Sequence, residues 1–163
     1  MNKLGIKNIM LDTSFCIRLM DENDNLHINA LEYFKFFLQE KIIIHLSTIV
    51  VAEYAVGDNP ENLPLASVQI ETFDYRDAAT AGLLHKDLKT NKDNIEGYNR
   101  RIITNDVKIL AQIKNRQIEA IISKDIQSHI KYVEPLINSN LLSLKFIDLN
   151  KKLNEVLGEL FPL

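Results

Sequence analysis

The sequence predicts an α/β protein, a three-layer α/β/α sandwich around a mostly parallel five-stranded sheet. Five short β-branched or apolar runs carry the first half of that expectation: Asn8–Leu11, Ile42–Leu46, Val68–Phe73, Ala120–Ile122 and Leu144–Leu149. Each is too short for a helix, and most are bounded by turn or capping residues. Between them lie stretches in which apolar residues recur every three or four positions, such as Leu31, Phe34 and Leu38, then Ile109, Leu110 and Ile113. Strands alternating with helices favour a parallel sheet covered on both faces, because parallel neighbours need crossover connections and helices supply them. The length of 163 residues, with 46% hydrophobic and 25% charged residues, is that of one ordinary globular domain spanning 1–163. The same figures exclude a disordered tail, a collagen-like chain and a disulfide scaffold.

Taken in order, the first strand runs straight into Asp12, with Thr13–Met20 reading as a helix that Asp12 could cap. A loop over Asp21–Asn25 leads to the helix of Leu31, Phe34 and Leu38. The next strand opens the longest apolar tract, Ile42 to Val56, which His45, Ser47, Thr48 and Glu53 interrupt. It falls short of the roughly 20 apolar residues that cross a bilayer, so no membrane span is expected. Gly57–Pro64 and Asn91–Gly97 are loop-rich, and neither reads as a linker between domains. After the strand at Ala120–Ile122 a helix is expected through His129 and Val133. The run Lys151–Phe161 aligns Leu153, Val156, Leu157 and Leu160 on one stripe, the pattern of a last helix docked on the sheet.

The net charge of −3 excludes a uniformly basic coat, yet the charge is uneven. From Lys86 to Arg116 eight basic residues face four acidic ones, a local +4 in an otherwise acidic chain. Such a stretch can receive a polyanion, although a solvated helix face would look the same. The single cysteine, Cys16, cannot form an internal disulfide and sits between Phe15 and Ile17 as a small buried hydrophobe would. No secretory leader precedes Asp12, so the expected location is cytoplasmic.

Four acids stand in apolar settings. Asp12 follows the first strand and Asp125 follows the fourth, at the carboxyl ends where open α/β sheets bind ligands. Glu53 is the only charge in Ile49–Val56 and has no lysine or arginine within one helical turn. Asp106 heads the stripe of Ile109, Leu110 and Ile113 and should face inward. Each has a plainer reading, as a helix cap, a dipole partner or a surface residue. Two strand ends and two inward helix faces, however, can bring all four to one edge of one sheet. Like charges about 4 Å apart repel by roughly 4 kcal/mol at an effective dielectric near 20, and a cation relieves that cost. Oxygen-only ligands select a hard ion, Mg²⁺ or Mn²⁺, which suits phosphodiester hydrolysis.

These residues resemble the PIN-domain ribonucleases, including the VapC-type toxins of toxin–antitoxin pairs. Ile9-Met10-Leu11-Asp12-Thr13-Ser14 looks like the family's opening strand and first acid, and Val51-Ala52-Glu53 like its glutamate-bearing helix. Asn105-Asp106-Val107-Lys108-Ile109-Leu110-Ala111 resembles the helix of the third acid, and Ile121-Ile122-Ser123-Lys124-Asp125 the strand leading to the fourth. The resemblance implies a metal-dependent endoribonuclease with Asp12, Glu53, Asp106 and Asp125 as catalytic residues and metal ligands. Thr13, Ser14 and Ser123 would be supporting hydroxyls; from the +4 segment, Arg100 and Arg101, nearest the acids in sequence, and Lys108 are expected to contact RNA phosphates. An antitoxin protein would be the partner, and a homodimer stays open. The stretch Lys86–Gly97 departs from the pattern, being longer and more polar than a compact helical hairpin.

Competing readings fit less well. A haloacid-dehalogenase-type phosphatase wants a second Asp two residues after the first, where this chain has Ser14. A receiver domain wants an acidic pair before its phosphorylated Asp. No Gly-x-Ser-x-Gly supports a serine hydrolase, and none of His27, His45, His85 and His129 sits beside a recognisable nucleophile; His45, within a strand, reads as a core histidine. The remaining alternative is a catalytically inactive PIN-like module that binds RNA or protein.

Overall fold

A computed structural model describes residues 2–90 and 102–160. Strands β1 (Asn8–Leu11), β2 (Ile43–Ser47), β3 (Gln69–Glu71), β4 (Ala120–Ser123) and β5 (Lys145–Asp148) fall on the five runs read from the sequence, shifted by one or two residues at their ends. They form one sheet in the order β3-β2-β1-β4-β5, and every pairing is parallel. The expectation of a mostly parallel sheet is therefore met in full.

The helices are α1 (Thr13–Met20), α2 (His27–Gln39), α3 (Thr48–Tyr54), α4 (Tyr75–Thr90), α5 (Asn105–Arg116), α6 (Ile126–Ser128), α7 (Glu134–Asn138) and α8 (Leu153–Leu160). Between α6 and α7 the chain makes a π-helical turn over His129–Val133. The helices pack in two groups, α1 with α2 and α3 and α2 with α8 on one side, α4 with α5 and α7 on the other. Ile9, Met10 and Leu11 of the central strand are all essentially inaccessible, which is what a strand covered on both faces requires. Cys16 and His45 are buried, as expected of a small hydrophobe and a core histidine. Among the described residues no helix is long and apolar enough to cross a membrane.

The topology positions the site. From β1 the chain moves outward on one side through β2 to β3, then returns and places β4 on the other side of β1. The direction of travel thus reverses between β1 and β4, and the carboxyl ends of those two strands flank a crevice of the kind in which open α/β sheets bind ligands. In register Leu11 faces Ile122, so the next residues along, Asp12 and Ser123, are brought side by side.

A second polar cluster ties the far edge. Arg116, at the end of α5, reaches Asp77 of α4 through Nη1 to Oδ1 at 2.7 Å and Nη2 to Oδ2 at 3.0 Å. It also donates from Nε to Glu71 at 2.5 Å and from Nη2 to the Thr72 carbonyl at 2.8 Å. His45 Nδ1 lies 2.6 Å from the other Glu71 oxygen, and buried Gln112 donates to the Glu71 carbonyl at 3.0 Å. Arg116 therefore belongs to the interior. Lys114 is engaged with the Leu141 carbonyl, so two of the eight cations in the basic stretch serve the fold.

Candidate active site

Asp12 occupies the N-cap position of α1, but its side chain caps nothing. Instead Oδ2 accepts two hydroxyl hydrogen bonds, from Ser14 and from Ser123, both at 2.7 Å. Those hydroxyls are themselves oriented from behind: the backbone N–H of Lys124 donates to Ser14 Oγ and that of Asp125 to Ser123 Oγ, each at 2.9 Å. The carboxylate is thereby fixed by neighbouring strand ends. The plain capping role is excluded for its side chain.

Glu53, half-buried on α3, points into the same region. One oxygen accepts from the Thr13 hydroxyl, next to Asp12, and the other accepts from Asn105 Nδ2 at 2.8 Å, next to Asp106. Its helix starts well because Ser47 Oγ caps it by accepting from the Ile49 N–H at 3.0 Å. Asp106 lies in the first turn of α5, where Thr104 is the cap, and accepts from Ser128 Oγ at 3.2 Å. Asp125 does cap: its Oδ1 accepts the Ser128 N–H at 3.0 Å and its Oδ2 the Ser128 hydroxyl at 2.9 Å. Ser128 Oγ thus lies within hydrogen-bonding distance of two of the acids, with one proton to give to either.

The electrostatics agree with convergence. Burial pushes the Asp106 carboxyl up to about 6, and the negative charge of Asp12 adds to this; the Ser128 hydroxyl opposes it, while Glu53 and Asp125 push the same way. A group raised by the charges of all three others shares their electrostatic environment. Asp12, Asp106, Ser123, Asp125 and Ser128 line a slot of about 30 Å³, closed below by apolar side chains and beside them by His129 stacked on Phe146 at 4.1 Å. Burial holds the His129 imidazole below its usual range. A slot of this size admits a water or a small ion, since a water needs roughly 10–15 Å³.

The donors are all oxygens, crowded and mutually repelling, which is the chemistry that suits a hard divalent cation. They do not form a closed cage. Among the described residues no three carboxylates, imidazoles or thiols are gathered tightly enough to enclose an ion as they stand. Mg²⁺ accepts such openness, because it keeps several waters and takes only one or two carboxylates directly.

Asn105 and Ser128 were not singled out by the sequence as site residues. Asn105 stood beside Asp106 in plain view, but an amide at a helix start carries no signal of its long-range partner Glu53. Ser128, three residues after Asp125, has the spacing of a capped N–H, and that spacing was the available clue. Of the residues expected to bind RNA, Arg100 and Arg101 lie outside the described residues. Lys108 is half-buried on α5 and leaves the helix about 200° round from Asp106, so it does not share that residue's face.

Fold and site together define an α/β protein with an acidic crevice at the reversal point of a parallel sheet. Residues 9–132 match the family model of the PIN domain, and the chain belongs to that family. Among curated proteins none matches the chain at a significant level. Among solved structures it is similar to a chain of VapBC2 from Rickettsia felis bound to a promoter DNA fragment, with 21% identity and a TM-score of 0.57, covering 86% of this chain and 99% of that one. It is also similar to a chain of DNA-bound VapBC from Salmonella typhimurium, with 15% identity and a TM-score of 0.56, covering 85% and 97%. At these identities the likeness establishes the fold, and the expected three-layer α/β/α architecture is the one observed.

Proposed function

We propose that the chain is a divalent-metal-dependent endoribonuclease, the toxin of a toxin–antitoxin pair, acting in the cytoplasm on RNA with Mg²⁺ or Mn²⁺. The observation that carries this is the grouping of the four acids at the reversal point of a PIN fold, where Thr13 and Asn105 bond Glu53 beside Asp12 and Asp106, Ser128 lies within hydrogen-bonding distance of Asp106 and Asp125, and burial together with the other three charges raises the Asp106 carboxyl. The likeness to VapBC complexes supports an antitoxin protein as partner.

In this reading Asp12 and Asp106 would be the main residues holding the ion, with Glu53 and Asp125 completing the site. The ion when bound polarises a phosphoryl oxygen and lowers the pKa of a water. Ser14 and Ser123 keep Asp12 in one orientation, Thr13 and Asn105 do the same for Glu53, and Ser128 spaces Asp106 from Asp125.

The test compares wild type with Asp106→Asn on a labelled RNA, with Mg²⁺ or Mn²⁺ and with chelator. Cleavage by wild type that needs the metal, and a loss of roughly 100-fold or more in the variant, is the expected result. Equal cleavage by both proteins, or cleavage that survives chelation, refutes the reading. RNA bound but never cut under either metal favours the non-catalytic module.

A further inference from the structure

Next to the acidic slot, a separate groove of about 420 Å³ opens between α1 and the β4–α6 turn, lined by Ser14, Arg18, Lys124, Asp125, Ile126 and Gln127. We propose that this groove is a binding site for the phosphodiester backbone of the RNA strand, with Lys124 and Arg18 contacting a phosphate next to the one being cleaved. The proposal rests on the nuclease reading above for its choice of ligand, and on the following geometry for its location.

A site built from four carboxylates repels a polyanion, so flanking cations must offset that repulsion wherever the strand runs beyond the slot. Arg18 and Lys124 are the two cations lining this lip. Lys124 is exposed, and among the described residues its ammonium has no acidic partner. Its backbone is nevertheless fixed, because its N–H donates to Ser14 Oγ at 2.9 Å and its carbonyl accepts from Asn150 Nδ2 at 3.1 Å. Arg18 is half-buried and held in place, with Nε 3.5 Å from Asp24 and Nη1 donating to the Ser14 carbonyl at 3.3 Å. Those two interactions leave other guanidinium N–H groups available, already oriented, for a phosphate oxygen.

The groove is also connected to the chemistry. Ser14 lies on its wall and donates to Asp12, while Asp125 belongs to both the groove and the slot. A strand running from the slot past Asp125 therefore enters the groove that Lys124 and Arg18 line. This places phosphate-binding residues on α1 and after β4, separate from the stretch Lys86–Arg116 to which charge alone had pointed.

Steady-state cleavage of a short labelled oligouridylate in Mg²⁺, repeated over a range of salt, tests the proposal with Lys124→Ala, Lys124→Glu, Lys124→Arg and Arg18→Gln. Bis(p-nitrophenyl) phosphate, which has a single phosphate and so none left over for the groove, is the second substrate, and thermal melts establish that each variant folds. Lys124→Ala is expected to raise KM for the oligonucleotide about fivefold, the yield of one exposed ion pair, and Lys124→Glu to raise it further. The dependence of log(kcat/KM) on log salt should become shallower by about 0.7 for each phosphate that the variant no longer neutralises. Lys124→Arg should restore both, and cleavage of the small diester should stay within twofold of wild type throughout. Unchanged KM and salt slope in Lys124→Glu and Arg18→Gln overturn the proposal, as do equal losses on both substrates, which would place the effect in the slot. If wild type cuts neither substrate, the nuclease reading fails by itself, and fluorescence anisotropy of the same oligouridylate still decides the groove. Weaker binding with a shallower salt slope in the variants then supports it, and no difference or no binding overturns it.

Discussion

Asp106→Asn should make the metal-free protein more stable at neutral pH while abolishing its activity. A folded-state carboxyl at about 6, against an ordinary value of 3.8, holds its proton more tightly than the same group in the unfolded chain. Ionisation therefore opposes folding: the penalty is absent below pH 3.8, grows between about 4 and 6, and is complete above 6. At 1.36 kcal/mol per pH unit the gap amounts to about 3 kcal/mol, which partial solvent screening of this half-buried group reduces to about 2. Asparagine is nearly isosteric, keeps an oxygen for the Ser128 hydroxyl and carries no charge. For a chain of this size the gain corresponds to roughly 4–8 °C in Tm. The assay is thermal unfolding of both proteins in chelator from pH 4 to 8. The two curves should coincide near pH 4, separate as pH rises from about 4 to 6 and stay apart above that, with the variant above. A variant melting at or below wild type at pH 7.5, or a difference independent of pH, would refute the argument that burial and the neighbouring acids disfavour the ionised Asp106 in the folded state.

Two further outcomes concern the body of the fold. Arg116→Met leaves Asp77, 1% exposed, a buried carboxylate without its cation and should cost about 3 kcal/mol in urea unfolding. Burial alone would raise the Asp77 carboxyl, but hydrogen bonds from Arg116, Asn115 and the Asp74 N–H outweigh it and hold the group below its usual range. That stability is present at neutral pH and fades in acid as Asp77 protonates, so the gap between wild type and variant should narrow there; a loss under 1 kcal/mol at pH 7 contradicts the assignment. Burial, reinforced by the charge of Asp12, pushes the Cys16 thiol far up. It should resist a thiol reagent in the native protein and react at once in denaturant, whereas rapid native labelling would show that α1 opens readily.

The strands were legible because each is a short apolar run with a turn or cap behind it, and a strand buried on both faces needs little more than that. Asp12 and Asp125 were legible for the same reason, since a carboxylate directly after such a run has few other places to go. What the local sequence could not convey was partnership at a distance. Arg116 looked like one more cation in a basic stretch, and only the fold shows that Asp77 and Glu71, 39 and 45 positions away, turn it inward. Asn105 and Ser128 were silent because an amide or a hydroxyl has an ordinary local use at a helix start, and its meeting with an acid is set by packing. The π-helical turn at His129–Val133 was hidden too, because one extra residue per turn leaves almost no trace in periodicity.

The reversal between β1 and β4 also governs when the carboxylate cluster can exist during synthesis. A chain grows from its N-terminus at roughly 5–20 residues per second, so β1, β2 and β3 can pair, and Asp12 and Glu53 take their places, well before Asp106 and Asp125 have been made. Until β4 arrives, β1 has one open edge carrying Ile9, Met10 and Leu11, and the half-made sheet is a liability to the cell through its stickiness. Half the acids and one wall of the crevice are still missing at that stage. The strand that seals the edge is the strand that delivers the last acid. On the nuclease reading proposed above, a nascent chain stalled before that point carries an incomplete site, and the fourth acid arrives in the step that closes the open edge of β1, ahead of β5 and α8.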